Sequence, residues 1–100
     1  MMIVIAHARV QPARREAFVA ALPAFIKATR AEAGCLAYDF LESADEPNHF
    51  ATIERWETRA ASDAHMASPH LQAFLGLAAG CVSEAPSIEA AEVAGMERVL

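Results

Sequence analysis

The chain opens with a run rich in β-branched residues, Ile3, Val4, Ile5 and Val10, which predicts a first strand over residues 3–10. Gln11-Pro12 closes it, because proline cannot donate to a ladder. Alternation places Ile3, Ile5, His7 and Arg9 on one face and Val4, Ala6, Ala8 and Val10 on the other. Phe18, Leu22, Phe25, Ile26 and Thr29 then recur at helical spacing, predicting one amphipathic helix over about residues 13–33, entered at Pro12. Pro23 lies inside that helix, where a proline removes a backbone bond and costs about 3 kcal/mol, so a kink or two helical pieces is expected. Gly34 is a natural stop.

From residue 35 the period returns to two. Leu36, Tyr38, Phe40 and Glu42 alternate with Cys35, Ala37, Asp39 and Leu41, a second strand. The turn-forming stretch 43–48 leads into a third strand over 49–57, with Phe50, Thr52, Glu54 and Trp56 on one face, so the two make an antiparallel hairpin. Thr58 can cap a helix over about 59–67, and Ser68-Pro69 restarts it, with Leu71, Phe74, Leu75 and Ala78 as its buried stripe and Gly80 as its end. A last strand is expected between Val82 and Val93, interrupted near Pro86, followed by a tail from about residue 95. The order β, α, β, β, α, β folds as a ferredoxin-like α+β domain: a four-stranded antiparallel sheet with its helices on one face, filling residues 1–100 as a single unit. Apolar residues also occupy the opposite sheet face, which a second copy of the chain would cover, so a symmetric homodimer is expected.

Composition sharpens that picture. Hydrophobic residues make up 55% of a 100-residue chain, more than so small a domain hides easily, which favours a partner or an apolar ligand. A net charge of −5 with dispersed basic residues argues against nucleic acid and anionic membrane surfaces. The N-terminal apolar run is broken by His7 and Arg9 and has no basic leader, so neither a signal peptide nor a membrane span is expected, and a cytoplasmic location follows. Cys35 and Cys81 belong to no zinc-type spacing and read as free, mostly buried thiols, with a disulfide as the alternative.

No glycine-rich phosphate loop, nucleophile elbow or metal-ligand spacing is present, so any chemistry is expected from histidine, tyrosine, tryptophan and carboxylates, without metal or cofactor. Trp56 could stack on a flat aromatic substrate or anchor the core between sheet and helix. His65 and His70 flank the Ser68-Pro69 break, where a helix turn could aim an imidazole inward as a proton carrier; a solvent-facing histidine is the alternative for each. His7 reads as a pocket base or an interface histidine. Tyr38 and Asp39 point to opposite sides of their strand, and Glu54, if buried, needs a partner such as Arg9 or Arg55.

The stretch Thr29-Arg30-Ala31-Glu32-Ala33-Gly34-Cys35-Leu36-Ala37-Tyr38-Asp39, then Asp45-Glu46-Pro47-Asn48-His49-Phe50 and Ile53-Glu54-Arg55-Trp56-Glu57, resembles the antibiotic biosynthesis monooxygenase family. So does the segment from Ala60 to Phe74, and with the opening strand the resemblance covers nearly the whole chain. It implies a dimeric α+β barrel with an apolar pocket between helices and sheet. In that pocket His65, His70 and Trp56 would be the catalytic candidates, and His7, Tyr38, Phe50, Phe74 and Glu54 would contact a small aromatic ligand. It further implies a cofactor-independent oxygenase of quinols or polyphenols, with a non-catalytic binding protein or an isomerase as alternatives. Haem-degrading members carry an asparagine where this chain has His7-Ala8, which makes that activity the less favoured one.

Overall fold

The structure, a computed structural model, describes residues 1–100. Four strands, β1 (Met2–Arg9), β2 (Cys35–Glu42), β3 (His49–Trp56) and β4 (Ser87–Glu92), form one sheet in the order β2-β3-β1-β4 with every neighbouring pair antiparallel. Three helices, α1 (Arg15–Arg30), α2 (Arg59–Met66) and α3 (Pro69–Ala79), join them, so the fold is the expected ferredoxin-like α+β arrangement. No helix is long and apolar enough to cross a membrane.

The alternation of strands β1 and β3 holds. Met2, Val4, Phe50, Thr52, Glu54 and Trp56 are buried, while Ile5 and Ile53, paired across β1 and β3, are exposed on the other face. Strand β2 departs from it: the register shifts between Cys35 and Ala37, so Leu36 turns outward, 54% exposed, while Tyr38 is buried. A β-bulge of this kind adds a residue and resets the side-chain alternation, which a strict period of two does not anticipate.

Helix α1 begins after a short 3-10 turn at Pro12–Arg14 and runs unbroken through Pro23, so of the two expected outcomes, a kink or a division into two pieces, the division does not occur. Pro23 lies on the exposed side, where water can satisfy the carbonyl its missing N–H leaves free. The helix pair after β3 breaks where expected. Thr58 accepts a hydrogen bond from the Ala61 amide, and Ser68 accepts one from the Leu71 amide at 3.3 Å. Strand β4 begins only after Pro86 and is exposed along its whole length.

Two apolar clusters fill the space between sheet and helices. One gathers Met2, Val4, Phe25, Tyr38, Trp56 and Leu71; the other gathers Val10, Phe18, Phe50, Ala78 and Cys81. Both thiols are free, Cys81 buried and Cys35 half-buried, and burial is the first cause pushing the Cys35 thiol up. Gly34 joins α1 to β2 with φ of +80°, and a Cβ placed on it would lie 2.6 Å from the Ala61 Cβ. Glycine is required there twice over, by its left-handed backbone and by the close approach of α2.

Candidate active site

A cavity of about 70 Å³, partly open to solvent, lies between the inner sheet face and the helices, and 15 of its 20 lining residues are hydrophobic. Strand alternation delivers Ala6, Tyr38, Phe40, Phe50 and Glu54 to its floor, and α3 contributes Leu71, Phe74 and Ala78 to its roof. Its exposed lining residues, Met66, Pro86 and Ile88, mark where it meets solvent.

His65 is the polar group best placed to act in this space. It is 3% exposed and lines the cavity. Its ring stacks on Trp56 at 4.8 Å and meets Tyr38 edge-on at 5.6 Å, so packing fixes its orientation. Nδ1 lies 2.6 Å from Glu32 Oε2, and no protein group bonds Nε2. A carboxylate only accepts, so the nitrogen facing it carries hydrogen, and a neutral ring then presents its lone pair at Nε2.

His70 points at the same carboxylate oxygen, with Nε2 2.8 Å away. It is half-buried and is not among the cavity-lining residues. One hydroxyl holds the two histidine-bearing helices together: Ser68 donates to the His65 carbonyl at 2.7 Å and caps α3, which carries His70.

Glu54 is 5% exposed, and neither arginine reaches it. The partners are Thr52 Oγ1, donating at 2.8 Å, and Trp56 Nε1, donating at 3.0 Å, both from the same strand face. Alternate residues of one strand share a face, so Thr52, Glu54 and Trp56 satisfy one another without a cation. Trp56 is fully buried and lies behind His65, outside the cavity wall. Of the two roles expected for it, packing between sheet and helix is the one its contacts display, through the stack on His65.

Tyr38, Phe50 and Phe74 all line the cavity. Phe74 stacks on Phe25 at 4.3 Å, and Phe18 lies 5.1 Å from Phe50 and 5.5 Å from Phe74. Burial, with the Glu54 carboxylate second, pushes the Tyr38 phenol far up, so the hydroxyl keeps its hydrogen. His7 belongs to the cavity wall on β1, but its ring is engaged elsewhere: Nδ1 lies 2.9 Å from His49 Nε2, with the rings stacked at 5.1 Å. It is not brought to His65.

Glu32 is the candidate site residue that sequence reasoning passed over. It occupies the turn between α1 and β2, 33 positions from His65 and 38 from His70, so no local motif signals it. Although no metal-ligand spacing runs along the chain, Glu32, His65 and His70 place their potential ligand atoms within 4.8 Å of one another in space.

A ferredoxin-like sheet roofed by helices over an apolar cavity, with one carboxylate-bound histidine inside, defines the class. The profile of the antibiotic biosynthesis monooxygenase family matches residues 1–76, and the chain belongs to that family. It is 33% identical to "Putative monooxygenase YcnE" of Bacillus subtilis over 75 residues, 75% of this chain and 79% of that one. It is 46% identical to "Putative monooxygenase Rv0793" of Mycobacterium tuberculosis over 67 residues, 67% of this chain and 65% of that one. With a Synechocystis protein, "Uncharacterized protein sll1783", it shares 36% identity over 74 residues, and the match spans half of that longer relative. Among solved structures, Rv0793 superposes with a TM-score of 0.85 at 32% identity, covering 99% of this chain and 98% of that one. A "putative antibiotic biosynthesis monooxygenase" from Deinococcus radiodurans gives 0.92 at 25% identity over 100% and 99% of the two chains.

Proposed function

We propose that the chain is a cofactor-independent monooxygenase that oxidises a small phenol or quinol with dioxygen in the cavity beside His65. The observation that carries this reading is the Glu32–His65 contact at the cavity wall, which leaves Nε2 free to take a proton. An apolar enclosure suits a flat aromatic ring and favours removal of its polar hydrogen by His65, since His7 is engaged with His49 and Glu54 with Thr52 and Trp56.

The chemistry balances without an added reductant. A phenol with a free para C–H gives its O–H proton to His65, and the phenolate passes electrons to dioxygen. The carbon gains one oxygen atom, the other leaves as water, and the product is the quinone; all four electrons come from the substrate. Glu32 steadies the imidazolium that forms in between, and Tyr38 keeps a hydrogen with which to hold a substrate oxygen.

The working form in this reading is a homodimer closed over the outer sheet face, where Ile5, Leu41 and Ile53 are exposed. Two free thiols accord with a reducing, cytoplasmic setting. Sedimentation at micromolar concentration tests the assembly, and a monomer there overturns it.

The decisive assay is oxygen consumption by chelator-treated protein with a panel of hydroquinones and polycyclic phenols. Uptake above autoxidation that falls in His65→Ala supports the oxygenase. No uptake with any ligand that binds moves the reading to a binding protein, which 15 hydrophobic lining residues would equally suit, or to an isomerase that needs no oxygen.

A further inference from the structure

Glu32 Oε2, His65 Nδ1 and His70 Nε2 converge from three separate elements, with the carboxylate oxygen 2.6 Å and 2.8 Å from the two nitrogens. We infer that this trio binds one divalent transition-metal ion of the zinc class. The site goes beyond the oxygenase reading and stands without it.

The donor set selects the ion. Two imidazoles and one carboxylate suit Zn²⁺, Co²⁺ and Fe²⁺, whereas Mg²⁺ and Ca²⁺ favour oxygen ligands throughout. Three protein ligands also leave a position for water or a small molecule, the pattern of open rather than closed zinc sites.

The two nitrogens are already in place. His65 is 3% exposed and clamped between Trp56 and Tyr38, His70 packs 6.0 Å from Phe25, and Ser68 ties their helices together. The carboxylate is the adjustable member, because Glu32 stands on the turn after α1 and not inside a helix. In the ion-free chain the hydrogens between these groups hold the trio together, and an ion replaces them and releases protons.

A consequence joins this site to the proposed chemistry, and it rests on that reading. An imidazole that ligates through Nδ1 carries its hydrogen on Nε2, so an ion bound to Glu32 and His65 removes the lone pair that would accept the substrate proton. Occupancy would therefore switch the oxygenase off.

The test is titration of chelator-treated protein with Co²⁺, followed by its visible absorption, and with Zn²⁺, followed by calorimetry. The expected result is one ion per chain, weakened at least about tenfold in Glu32→Gln and again in His70→Ala, as for loss of a ligand or its support. His7→Ala, which disrupts the separate His7–His49 pair, should leave binding unchanged. Binding weaker than about 0.1 mM, equal binding in Glu32→Gln, or loss in His7→Ala overturns the site. If His70→Ala does not fold, Glu32→Gln alone decides. Ion binding by a chain that takes up no oxygen in its ion-free form upholds the site and overturns the oxygenase, so the two readings fail separately.

Discussion

Two carboxyl groups flank the stacked rings of Trp56 and His65, and they are held in opposite ways. Glu54 is 5% exposed, fixed mid-strand, and met by two neutral donors from its own strand. Glu32 stands on a turn and is met by two imidazoles from two helices. The first arrangement closes on itself: although Glu54 lines the cavity floor, each of its oxygens is met by a donor from its own strand. The second is open, because each imidazole has a further nitrogen. Burial alone therefore does not single out the candidate carboxylate; the chemistry of what it touches does.

Substitutions can break this contrast or sharpen it. The largest effect should come from Trp56→Ala, which empties a fully buried site and strips Glu54 of a donor; a loss of about 3–5 kcal/mol in urea unfolding is expected. A loss below about 1 kcal/mol would show that the strand-face trio is not structural. Next, Glu54→Gln replaces one of the two accepting oxygens with an N–H₂ that faces a donor, and should cost about 1–3 kcal/mol in the same measurement. Glu32→Gln should invert the balance: stability changes by less than about 1 kcal/mol, while oxygen uptake falls at least about tenfold, part of the ~10²–10⁴ that a general base supplies. Equal stability losses at the two glutamates would erase the distinction.

The smallest effect belongs to a surface carboxyl that serves as reference. Arg15 hydrogen-bonds Glu42, and the Asn48 amide donates to it at 2.8 Å, so its carboxyl is lowered from 4.5 to about 2. A depressed folded value means that the stabilisation is complete above the ordinary carboxylate range and fades as pH falls towards about 2. Carboxyl-carbon NMR should follow this titration, with Asn48 amide exchange quickening over the same window. An ordinary titration midpoint would detach the hairpin turn from α1.

Much of the fold was legible because it depends on local periods. Phe50, Thr52, Glu54 and Trp56 are buried as their alternation requires, and Thr58 and Ser68 cap as their types suggest. The bulge beside Leu36 and the unbroken passage of α1 through Pro23 were not legible, since each is settled by packing and solvent on the two sides of an element. The site was half legible. His65 and His70 stand out as proton carriers at a helix break, but the oxygen that unites them comes from a turn far away in sequence, and a lone glutamate there looks like any solvated charge. Arg9 and Arg55 were natural partners for Glu54 by charge; hydrogen bonding along one strand face met the need instead.

The missing side chain at Gly34 acts as a spacer of zero thickness. It lets the turn that carries Glu32 lie flush against α2, which carries His65, with only 2.6 Å between a would-be Cβ and Ala61. Thickness added at position 34 is therefore converted into distance between a carboxylate and an imidazole two residues and one helix away. A side chain at position 34 would thus loosen the contact between Glu32 and His65 along with the seat of the turn on α2.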